Sequence, residues 1–119
     1  MYDINEVVID FAEIREKKEG LNEEQLNEFL LSRTAALGAS VKILLGMMGF
    51  GKDFSIPVKI KGNSREVNSF TRALKGERRY MDAVKKYGFD NPKTYKSKMR
   101  LDKAVQGFEK TTGMKWMIG

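Results

Sequence analysis

The chain reads as a mainly α protein of four to five helices with at most a small two-stranded sheet, at about residues 55–61 and 114–118. Three observations lead there. Apolar residues recur at helical spacing over most of the length. Capping-box pairs and an Asn-Pro dipeptide mark helix starts, and glycines mark helix ends. A single run, Ser55 to Lys61, alternates polar and apolar residues as a strand does.

Taken in order, Ile4, Val7, Val8, Phe11 and Ile14 predict a first helix from about Asp3 to Glu19, stopped by Gly20. Asn22 with Gln25 reads as a capping box opening a second helix, whose apolar face is Leu26, Phe29, Leu30, Leu37, Val41, Leu44, Leu45 and Met48. It ends near Gly46 to Gly51. Ala35, Ala36, Gly38, Ala39 and Ser40 crowd its middle, which predicts a close helix crossing there. Ile56, Val58 and Ile60 form a half-buried strand that Pro57 places at an edge. Asn63 with Glu66 opens the next helix, through Val67, Phe70 and Leu74, which breaks at Gly76 or continues to Gly88. Asn91-Pro92 starts the last helix, ending at Gly113. The apolar ending Met114-Lys115-Trp116-Met117-Ile118 could pair with the Ile56–Ile60 strand, and Trp116 should be packed.

A chain of 119 residues is one domain by size. Its charge is divided by position. Residues 1–30 hold nine acidic and three basic side chains, and residues 31–119 hold seven acidic and 19 basic ones, so a net charge of −6 is joined to one of +12. This divides the chain into an acidic helical arm, 1–30, and a basic helical body, 31–119. A dipolar protein of this kind is suited to partnership with itself, with a polyanion or with an acidic protein surface.

Neither cysteine nor histidine is present. Disulfides, thiolate nucleophiles, imidazole bases and nearly all zinc or haem ligation are therefore excluded. No calcium loop or phosphate-binding glycine loop is visible, so no cofactor or metal is expected. Carboxylate pairs such as Glu24 and Glu28 sit on a solvated helix face, where nothing raises a pKa for acid–base work. The chain therefore reads as no enzyme. Its acidic start is no secretory signal and its longest apolar stretch, Ala35 to Phe50, is too short to span a bilayer, which makes the cytoplasm the expected compartment.

Two basic clusters carry the binding chemistry. The first is Arg72, Lys75, Arg78, Arg79, Lys85 and Lys86, with Tyr80 and Tyr87 among them. The second is Lys93, Lys96, Lys98, Arg100 and Lys103, with Tyr95. Several cations on one face meet phosphates, and tyrosine rings can stack on unpaired bases. No DNA- or RNA-recognition signature accompanies them.

A pattern in the acidic arm is sharper. A Leu or Ile stands two residues before Glu6, Glu16, Glu23 and Glu28, but not before Glu66, Glu77 or Glu109. The triplet is similar to the cleavage consensus of the prohead protease of T-even-type tailed bacteriophages, which cuts after the Glu. Residues 55 to 118 resemble the small prohead core proteins of those phages. The matching stretches are Ile56-Pro57-Val58-Lys59-Ile60-Lys61-Gly62, Arg78-Arg79-Tyr80-Met81, Lys86-Tyr87-Gly88, Pro92 through Lys98 and Thr111 through Trp116. The resemblance implies an internal scaffold component that assembles inside an immature capsid, with Glu6, Glu16, Glu23 and Glu28 as cleavage positions.

The expectation is a non-enzymatic assembly protein, a prohead core component working through its own copies or other capsid and scaffold proteins, in the host cytoplasm or inside the immature capsid. Apolar faces would supply packing, and acidic-to-basic contacts the register. Two alternatives stand beside it: a small basic nucleic-acid-binding protein, and a phage-type inhibitor of a host protein.

Overall fold

A computed structural model of the chain describes residues 7–50 and 58–116. The order is β1 (Val7–Asp10), α1 (Phe11–Lys18), α2 (Glu23–Phe50), β2 (Val58–Lys61), α3 (Ser64–Tyr87) and α4 (Pro92–Thr112). The protein is mainly helical with one two-stranded sheet. Helix α2 is about 42 Å long at 1.5 Å per residue.

The sheet corrects the expected pairing. β2 pairs with β1, in parallel, with Val7 opposite Val58 and Ile9 opposite Ile60. A parallel pair needs a crossover, and α1 with α2 supplies it. The expected helix from Asp3 to Glu19 is therefore corrected over residues 7–10, which are strand, with α1 starting at Phe11; residues 3–6 lie outside the described residues. Val7, Val8 and Ile9 are three consecutive β-branched residues, which lose χ1 freedom in a helix and fit a strand. Asp10 then caps α1, its carboxylate accepting the Glu13 N–H at 2.9 Å. Residues 114–116 form no strand: the Trp116 main-chain N–H donates to Glu109 Oε2 at 2.9 Å instead. Residues 117 and 118 lie outside the described residues.

Four aromatic rings make the centre of the core. Phe11 lies 5.7 Å from Phe70 and 5.9 Å from Phe108, and Trp116 lies 5.2 Å from Phe108, all in tilted or edge-on pairs. Ile9, Ile14, Leu37, Val41, Leu44 and Met114 surround them. The boundary that charge places at residue 30 is no break in the fold. It falls inside α2, and the segment before it supplies Ile9, Phe11 and Ile14 to the core. Polar contacts tie that segment down further: Arg15 donates to Glu66, and Lys18 Nζ donates to the Thr112 carbonyl at 2.8 Å, a cation at the C-terminal end of α4.

The small residues of α2 are not a crossing point. Thr34, Leu37, Val41, Leu44 and Leu45 form its buried face, while Ala35, Ala36 and Ala39 are exposed. A side chain added at Gly38 would meet nothing within 4 Å.

α3 and α4 form a helical hairpin. Asn63 and Glu66 build the expected capping box, and α3 passes through Gly76 without breaking. Gly76 lets the helices approach closely: a Cβ there would stand 3.3 Å from Leu101 Cα. Gly88 ends α3 at φ 81°, Asn91 caps α4 with Pro92 behind it, and Gly113 ends α4 in the left-handed region. Buried Thr94 donates to the Gly88 carbonyl at 2.7 Å and holds the turn.

Candidate polyanion-binding groove

The basic residues of the hairpin follow helix geometry. On α3, Arg65, Arg72 and Arg79 are seven apart, and Lys75 falls between the last two; positions at i, i+3, i+4 and i+7 share one face. On α4, Arg100 and Lys103 occupy the facing side. Together they line a groove made of two adjoining depressions of about 310 and 320 Å³ that share Arg72 and Ala104. Its floor is small: Gly76, Ala104 and Gly107, with Ser69 and Ser97. All six cations are exposed.

The carboxylates of the α3 and α4 helices are engaged elsewhere, and exposed Asp90 sits in the turn between them. Glu66 caps α3 and meets Arg15. Glu77 accepts the Trp116 indole N–H at 3.1 Å, and Glu109 accepts the Trp116 main-chain N–H. Asp82 pairs with Arg78 at 3.2 Å and Asp102 with Lys98 at 3.3 Å. Among the described residues no carboxylate lines the groove. Among the described residues Arg65, Arg72, Lys75, Arg79, Arg100 and Lys103 have no ion partner. Six like charges around one concavity raise a positive potential that only an anion relieves.

Five of the eleven cations singled out from the sequence thus converge: Arg72, Lys75, Arg79, Arg100 and Lys103. Arg78, Lys85, Lys86, Lys93, Lys96 and Lys98 do not line the groove. Lys86 and Lys93 stand over the Tyr87 ring at 5.3 and 4.8 Å, and Lys98 over Tyr80 at 5.4 Å. A hydrogen bond from Lys86, with the charges of Lys86 and Lys93, holds the Tyr87 hydroxyl below its ordinary value of 10.0. The tyrosines expected to stack on bases therefore lie outside the groove, and two of them are already covered by lysines. Arg65 was missed by reading basic clusters, although its seven-residue spacing from Arg72 and Arg79 marks it.

Of the cleavage positions, Glu16 lies on α1, and Glu23 and Glu28 on the first turns of α2, all exposed. Glu6 lies outside the described residues. Glu13, on α1, is held below its ordinary value by the hydrogen bond and charge of Lys17, with Arg33 adding to it.

No group of His, Cys, Asp and Glu among the described residues could hold a metal ion, and no helix among them is long and apolar enough to cross a membrane. Comparison with protein-family models, with curated proteins and with solved structures finds no match.

Proposed function

We propose that the chain is a non-enzymatic assembly protein of the prohead core kind, which docks an acidic protein surface in the α3–α4 groove. One observation carries this reading: six exposed cations line a single groove with no carboxylate among its described lining residues, while the acids of α3 and α4 are engaged at caps, in the core or in pairs along the helices. Small residues between the cations, glycine, alanine and serine, leave the guanidinium and ammonium groups accessible to a row of acidic side chains. The exposed Leu31, Met99 and Phe89 add apolar contact of the sort that repeated weak interfaces use.

The second reading is nucleic-acid binding. The spacing of Arg65, Arg72 and Arg79 favours it, because a row of guanidinium groups suits a phosphate backbone equally. Capture of partners from a native lysate, with and without nuclease, separates the two. The assembly reading expects acidic proteins to remain bound after nuclease. Loss of every partner on nuclease treatment, together with retention of a labelled oligonucleotide at low salt, would replace it with the second.

A further inference from the structure

Helix α2 carries a surface that matches the groove. Glu24, Glu28, Leu31 and Ala35 are spaced four, three and four residues apart, so they form one stripe along the helix. All four are exposed, and Leu31 is 69% exposed, a large apolar side chain facing solvent between two glutamates and an alanine. Among the described residues neither Glu24 nor Glu28 has an ion partner. None of the stripe residues lines the groove of its own chain.

Resting on the reading of the groove as an acceptor for acidic protein, we propose that its occupant is a second copy of this chain, which inserts the Glu24–Glu28–Leu31–Ala35 stripe of α2 between α3 and α4. Three matches support the pairing. The signs are opposite: two glutamates meet a wall of arginines and lysines with no competing carboxylate. The lengths agree, since the stripe spans about 17 Å and the row from Arg65 to Arg79 about 21 Å at 1.5 Å per residue. The textures agree, since Gly76, Ala104 and Gly107 in the groove lining offer little bulk of their own against Leu31 and Ala35. Stripe and groove are different patches of one molecule, so each copy carries both halves of the contact.

Sedimentation of the purified chain at about 0.01 M and about 1 M salt tests this, because the screening length falls from about 30 to about 3 Å over that range. The wild type should be heavier than a monomer at low salt and monomeric at high salt. Glu24→Arg with Glu28→Arg spoils the stripe, and Arg72→Glu with Arg79→Glu spoils the groove. Each double variant alone should be monomeric at low salt with an unchanged helical circular dichroism spectrum. Mixed in equal amounts they should form a one-to-one complex, since one keeps the groove and the other the stripe. A monomeric wild type at low salt, double variants that keep the wild-type mass, or no complex on mixing would each overturn the proposal. A wild type that stays monomeric but loses another acidic partner through Arg72→Glu with Arg79→Glu would sink self-docking alone and leave the assembly reading standing.

Discussion

At the scale of single residues, Trp116 does two jobs that can be measured apart. Its ring completes the Phe70–Phe108 cluster, and its indole N–H satisfies the buried Glu77 carboxylate. Trp116→Ala should cost about 3–5 kcal/mol for the lost ring and the cavity. Trp116→Phe keeps an aromatic ring but leaves Glu77 without its donor, and should cost about 1–3 kcal/mol. Urea unfolding of the two variants checks the order; a Phe variant as costly as the Ala variant would assign the stability to the hydrogen bond and not to packing. Tyr87 gives a pH prediction. Its hydroxyl is held low by Lys86 first and Lys93 next, so it should ionise ahead of an ordinary tyrosine in an ultraviolet difference titration. Ionisation then favours the folded chain. The contribution is present above the ordinary tyrosine range and is lost as the pH falls through the folded value. Lys86→Met should move that ionisation back up; an unmoved titration would remove Lys86 as the cause.

At the scale of elements, the reading of α3 and α4 from sequence was close, because their starts and stops are written in local chemistry: Asn63 with Glu66, Gly88, Asn91 with Pro92, and Gly113. The N-terminal segment was misread for an equally physical reason. Ile4, Val7, Val8, Phe11 and Ile14 fit helical spacing, but the β-branched run Val7-Val8-Ile9 gains a ladder with β2, and that long-range pairing is invisible to periodicity. The groove was half legible. Helical spacing places Arg72, Lys75 and Arg79 on one face, but which α4 residues oppose them depends on how Gly76 lets Leu101 approach. The same elements order the cleavage positions. α1 is anchored by Phe11 and Ile14, buried in the core, whereas Glu23 and Glu28 lie in the opening turns of α2, where Phe29 is only partly buried against the core and full burial begins at Thr34. Local opening should therefore need less free energy at α2 than at α1. Coexpression with a prohead protease should yield cuts after Glu23 and Glu28 before any after Glu16, and leave Glu66, Glu77 and Glu109 intact. Mass spectrometry of the fragments over time checks this, and cuts scattered without that order would reduce the triplets to helix periodicity.

At the scale of the whole molecule, the charge split is a surface property and not a domain boundary. The acidic residues before position 30 lie on a segment whose apolar side chains are built into the core, and the basic excess is concentrated on the opposite partners, α3 and α4. If the groove is the site, the position of the cations, and not net charge, decides binding. Exposed surface ion pairs contribute only about 0–1 kcal/mol each, so a specific site must gather several of them. The direct test compares two variants with the same change in net charge for retention of acidic proteins from nuclease-treated lysate. Arg72→Glu with Arg79→Glu alters the groove; Lys85→Glu with Lys96→Glu alters exposed lysines outside it. The first variant should lose its partners and the second retain them. Equal loss from both would mean that overall charge alone attracts the partner, and would contradict the groove as the binding site.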